Sequence, residues 1–156
     1  MSCLKIVPEP YLNSDALEIL IHGYVFRKAK QIGGLSVDPI YAAEQMHLVK
    51  NLWFQNDGRQ LRHFILSFTD QESKHISEPG NLVTGAYQVC DYFADEFQIV
   101  FGVHHSSDRR HIHFVMNNVS FVTGKRYRDS KYADLDLKCH IYTCLFPINR
   151  IDLYYD

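Results

Sequence analysis

Within VHHSSDRRHIHFVMN, residues 103–117, histidines stand at positions 104, 105, 111 and 113. Side chains alternate faces along a strand, so a strand from His111 sets His111 and His113 on one side with Val115 and Asn117. Ile112, Phe114 and Met116 then form the opposite, apolar side. The polar run Ser106–Ser107–Asp108–Arg109–Arg110 reads as a turn, and a strand over Gln98–His105 precedes it. Strands joined this closely are antiparallel neighbours, which brings His104 or His105 alongside the pair. Three imidazoles meeting at one point are a ligand set for a divalent metal that leaves coordination positions open. A lone histidine on a strand is ordinarily a surface or core residue; the pair with a third on the hairpin partner is the distinguishing feature. Imidazoles suit zinc, manganese, nickel or iron, whereas magnesium takes more oxygen ligands.

The elements that must hold this cluster follow from the rest of the chain. Leu17–Phe26 (LEILIHGYVF) is apolar enough for a helix end or a strand, and Gly33–Gly34 reads as a break after it. Ser36 or Asp38 can cap a helix with Pro39 in its first turn. Ile40, Ala43, Met46, Val49, Leu52 and Trp53 give that helix an approximate core stripe. Asn56–Asp57–Gly58 signals a turn, and His63–Phe68 (HFILSF) a strand. A second helix is expected to open at Ser77–Pro79, with Leu82, Ala86, Val89 and Phe93 along one face. KYADLDLKCHIYTCLF suggests a final helix, and RIDLYY a terminal strand or tail. The sum is an α+β domain over residues 1–156, its helices packed on one face of a mostly antiparallel sheet.

Composition narrows the class. The chain is 46% hydrophobic and 22% charged over 156 residues, a globular balance. No apolar run approaches the roughly 18 residues of a membrane span, and no signal-peptide core is visible, so a soluble, cytoplasmic protein is expected. Cys3, Cys90, Cys139 and Cys144 lack the paired spacing of a zinc site and read as reduced thiols. The net charge of −2 counts against nucleic-acid binding, yet the basic residues cluster. Arg27, Lys28 and Lys30 form one group; Lys125, Arg126, Arg128 and Lys131 form another. A local basic face can exist on a near-neutral protein.

The string His104-x6-His111-x-His113-x3-Asn117 resembles the third motif of the relaxase/mobilisation nuclease family, within the wider HUH endonucleases. RHFILSF resembles the second motif, whose serine, here Ser67, sits by the DNA backbone; HGYVFRKAK resembles the first. The resemblance covers roughly Leu17 to Lys131. It implies a relaxase that nicks single-stranded DNA at a transfer origin, using Mn²⁺ or Mg²⁺, with Zn²⁺ or Ni²⁺ as other candidates. It further implies His104, His111 and His113 as ligands, with His105 the alternative to His104. Tyr24 would be the nucleophile that forms a 5′-phosphotyrosyl bond, with Tyr11 and His22 next in line. Arg27, Lys28 and Lys30 would bind the DNA backbone, Asn117 would be a structural hydrogen-bonder, and His22 could assist tyrosine ionisation. Accessory relaxosome proteins and a coupling protein are the implied partners. Ser106 stands where the family often has an acidic residue and Arg109 where it often has a histidine, leaving Asp108 as the candidate carboxylate that would orient a metal-bound imidazole. A replication initiator or transposase nuclease, a degraded DNA-binding module, and a small-molecule metalloenzyme are the competing readings.

Overall fold

The computed structural model describes residues 2–75, 81–106, 109–144 and 151–155. Strands β1 (Ser2–Ile6), β2 (Gln31–Leu35), β3 (Leu61–Ser67), β4 (Ile99–Ser106), β5 (Arg109–Asn117) and β6 (Ile151–Tyr154) form one sheet. Their order is β2-β4-β5-β3-β1-β6. β1 runs parallel to β6, and the other neighbouring pairs are antiparallel. A π-helix spans Glu18–Val25, and a 3₁₀ turn (Pro39–Tyr41) leads into α1 (Ala42–Leu52). Helices α2 (Asp70–His75), α3 (Asn81–Asp91) and α4 (Lys131–Cys144) complete the described elements. The α+β architecture and the antiparallel β4–β5 hairpin match the expectation from sequence.

Strand alternation divides the core in two. Phe64, Leu66, Phe101, Val103, Ile112, Phe114 and Met116 point to one face and meet Leu82, Ala86, Val89 and Phe93 with α4's Leu137 and Ile141. Phe64 stacks on Phe114 across the β3–β5 pair, with ring centroids 4.8 Å apart. The second face carries Leu61, Val100 and Val115, covered by Leu17, Leu20, Ile21 and Val25 around the π-helix and by Ala42, Ala43 and Met46 of α1. Helices therefore lie on both faces. This corrects the expectation of helices on one face only: the site face of β3, β4 and β5 also carries apolar residues that need cover, and α1 lies there with the π-helix.

Several local expectations change. Gly33–Gly34 does not break the chain; it lies inside β2, paired with Phe101 and Val100. A side chain at Gly33 would come within 2.5 Å of the Phe101 ring and 2.6 Å of the Tyr87 hydroxyl, so the glycine lets those rings pack against the strand. Asp38 caps the turn before α1, accepting from the Ile40 amide at 3.0 Å. The buried residues of α1 are Ala42, Ala43, Met46 and Lys50, while Ile40, Leu52 and Trp53 are exposed. The stripe is thus rotated from the one expected. Lys50 is inside because its ammonium donates to the Gln60 carbonyl at 2.7 Å and also to Asn117 Oδ1. The expected helix start at Ser77–Pro79 lies outside the described residues, as does Asp108. None of the four cysteines is in a disulfide.

Candidate metal centre

The hairpin sets His104 directly opposite His111. His113 follows two residues on, facing the same way. Ring centroids of the three imidazoles lie 4.3–5.2 Å apart, and one nitrogen from each falls within 4.8 Å of the others. His104 joins the pair, while His105 is exposed and opposite Arg110, on the other side of its strand. His111 is half-buried, which leaves the cluster open to solvent on its side.

The nitrogens are held in distinct roles. His104 Nε2 donates to the Val25 carbonyl at 2.7 Å, which leaves Nδ1 as the free lone pair of the neutral ring. That carbonyl is available because it sits in the last turn of the π-helix, where carbonyls lack intrahelical partners. His113 Nδ1 is hydrogen-bonded to His63 Nε2 at 2.9 Å, and His63 Nδ1 to the Tyr11 hydroxyl at 2.8 Å. His113 Nε2 is buried and has no partner among the described residues. Buried polar atoms are rarely left in this state, and a lone pair aimed at a shared point by three rings is what a cation would satisfy. The donor set fits a borderline divalent ion, with the remaining positions open to oxygen ligands.

Electrostatics agree with that fit. Burial, reinforced by His63, His104 and His111, pushes the pKa of His113 down to about 2. Burial, with Lys5 and His104 adding to it, lowers that of His63 to about 4. His111 is also lowered, by burial first and then by His104 and His105. Neutral imidazoles are the form that binds a metal.

Tyr24 lies on the π-helix with its ring edge-on to His104 and His113, centroids 5.5 and 5.4 Å away. Lys28 reaches over the same ring, 4.9 Å from its centre. π-Helical turns are rare and recur at functional sites; here the turn lies against Gly102, the residue opposite His113. A Cβ at Gly102 would sit 2.7 Å from Val25 Cγ1 and 3.0 Å from the Val25 oxygen, so glycine permits this close approach. Two clefts border the cluster. One, of about 420 Å³, lies between the 9–16 segment and the π-helix, lined by Tyr11, Leu20 and Tyr24 among others. The other is lined by Ser67, Thr69, Asp70 and Arg109, and Ser67 lies directly opposite His111.

The remaining sequence candidates separate. His22 is turned toward α1, where its Nε2 accepts from the Ala43 amide at 3.4 Å and its ring meets Phe26. Asn117 is fully buried and bonds Lys50, Gln98 Oε1 and the Met46 carbonyl. Arg27 and Lys30 are exposed near Tyr24 in the chain. Arg126, from the second basic group, is spent inside the protein on Gln55, Asp57 and Arg59. His63 was not singled out from sequence: it shares a strand face with Ile65 and Ser67 in RHFILSF, and that spacing does not mark it as a partner of His113.

Comparison with known proteins places this architecture. The family model described as relaxase, MobA/VirD2-like, nuclease domain, matches residues 24–139. The chain belongs to this family, and the match takes in Tyr24, His63 and all three clustered histidines. Two Staphylococcus aureus proteins named "Protein rlx" are similar: one is 28% identical over 69% of this chain, the other 24% identical over 74%. The aligned regions span 33% and 34% of those relatives, so the chain matches about a third of their length. No solved structure matches it. Among the described residues no helix is long and apolar enough to cross a membrane.

Proposed function

We propose that this protein is a relaxase acting in the cytoplasm, nicking one strand of DNA at a transfer origin and becoming joined to it through Tyr24. The observation that carries the reading is the Tyr24 ring packed against two of three converging histidines. His104, through Nδ1, and His113, through Nε2, would hold a divalent ion with His111. Mn²⁺ or Mg²⁺ is the proposed ion, because a DNA phosphate would add oxygen ligands to the three imidazoles, with Zn²⁺ and Ni²⁺ as further candidates. When bound, such an ion supplies Lewis acidity to the scissile phosphate.

The chain's own residues do the rest. The Tyr24 hydroxyl attacks phosphorus, the 3′-oxygen leaves and takes up a proton, and a 5′-phosphotyrosyl bond replaces the broken ester. An ordinary tyrosine, with pKa about 10, is mostly protonated at neutral pH. The Lys28 ammonium, 4.9 Å from the centre of the Tyr24 ring, puts positive charge beside the attacking group. Arg27 and Lys30 attract the backbone, and the strand runs from the Tyr24 cleft past His111 toward Ser67 and Arg109. His22, held against α1, is a weaker candidate for general base. Accessory relaxosome proteins and a coupling protein are the proposed partners.

The test is incubation of the protein with single-stranded DNA carrying candidate transfer-origin sequences, with and without Mn²⁺, followed by denaturing electrophoresis. A metal-dependent covalent adduct, lost in Tyr24→Phe and in His113→Ala, is the expected result. Binding of DNA without any adduct would instead favour a relaxase-like binding module.

A further inference from the structure

Behind His113 runs a hydrogen-bonded chain that the reaction above does not use. His63 Nε2 meets His113 Nδ1 at 2.9 Å, and the Tyr11 hydroxyl meets His63 Nδ1 at 2.8 Å. The two rings are nearly parallel, with an interplanar angle of 27° and centroids 5.2 Å apart. Both histidines are buried, and His113 Nε2 is the orphan nitrogen facing the cluster. Tyr11 is held for this contact in a conformation uncommon for its type, at φ 46, while its carbonyl accepts from the Gln60 amide at 3.0 Å.

We propose that His63 and Tyr11 are positioning residues that fix the ring and tautomer of His113 for a divalent cation. They take the place that a carboxylate commonly holds behind a metal-bound imidazole. The inference rests on the metal site of the proposed function. The logic is one of proton direction. A cation needs the lone pair of His113 Nε2, so the ring proton must sit on Nδ1 and donate to His63 Nε2. The proton of neutral His63 then sits on Nδ1 and donates to the Tyr11 oxygen, which keeps its own hydroxyl proton. The opposite direction, from the Tyr11 hydroxyl through His63 to His113 Nδ1, would place a proton on His113 Nε2 and block the site. Only one of the two directions admits a cation, and no proton enters or leaves the chain between them. Among the described residues His63 joins the buried ligand to Tyr11, whose ring lines the cleft beside Tyr24.

Calorimetric titration of the whole chain with Mn²⁺ alone tests this, with folding checked by circular dichroism. His63→Ala should weaken binding about 10–100-fold, the usual cost of losing an outer-shell partner. His63→Gln, whose amide oxygen can accept from His113 Nδ1, should recover most of that loss. Tyr11→Phe should show a smaller loss, because His63 still accepts but no longer has its own tautomer fixed. In the zinc-loaded protein, nitrogen-correlated NMR should find the protons of both His113 and His63 on Nδ1. Wild-type binding with unchanged affinity in folded His63→Ala, or a His113 proton on Nε2, overturns the inference and leaves the metal site standing. A wild-type chain that binds neither Mn²⁺ nor Zn²⁺ overturns the inference together with the metal site.

Discussion

Lys50 carries a clear consequence of burial. It is 0% exposed with no carboxylate among its bonded partners, and burial followed by Arg126 lowers its pKa from 10.5 to about 7. The unfolded chain binds this proton up to its ordinary pKa, while the folded chain releases it near pH 7. The unfolded state therefore holds more protons above pH 7, and stability rises with pH there. The slope from this one group approaches about 1.4 kcal/mol per pH unit between pH 7 and 9. From about pH 8 upward the Cys90 thiol, raised by burial and then by Asp91, acts in the opposite sense. Urea unfolding of the wild type and Lys50→Met at pH 7, 8 and 9 should show the slope in the first and a flatter response in the second. Equal slopes would mean that Lys50 stays charged inside. The histidine pair at 111 and 113 was legible because i, i+2 spacing on a strand fixes one shared face. Neither Lys50 nor His63 was legible: Gln60 and Asn117 meet the first, Tyr11 and His113 the second, and only the fold brings these distant residues together.

At the scale of elements, the site depends on how closely the π-helix approaches β4. Gly102 sets that distance, and Val25 on the helix both touches it and holds His104 through its carbonyl. Gly102→Ala should push the helix outward, at a cost of about 1–3 kcal/mol in unfolding free energy typical of overpacking. The same displacement should move Tyr24 and His104 together, so Mn²⁺ affinity and adduct formation should both fall. A variant with normal stability and normal metal binding would show that the contact is not limiting. The β4–β5 hairpin and α3 could be read from period alone, since alternation and the i, i+4, i+7 spacing are each consistent there. The π-helix could not, because LEILIHGYVF is apolar on nearly every side and period then says little. β2 was hidden for the opposite reason: its glycines look like punctuation until the rings of Phe101 and Tyr87 are seen to need the space.

At the scale of the molecule, a net charge of −2 has to be reconciled with the polyanionic substrate proposed for it. The exposed Arg27, Lys28 and Lys30 follow Tyr24 directly in the chain, so the positive charge is local to the proposed site. Single-strand affinity should consequently fall with salt, and Arg27→Ala and Lys30→Ala should each lower the slope of log K against log salt by about 0.7. Fluorescence anisotropy between low and moderate salt measures this; slopes unchanged in both variants would move the DNA path elsewhere. The central claim is that Tyr24 is the residue that becomes joined to DNA. It is tested most directly by treating the protein with a randomised single-stranded DNA pool and Mn²⁺, digesting both polymers, and locating the nucleotide-bearing peptide by mass spectrometry. A metal-dependent adduct on Tyr24 is the expected result. An adduct on Tyr11, on His22 or on any other residue would contradict it.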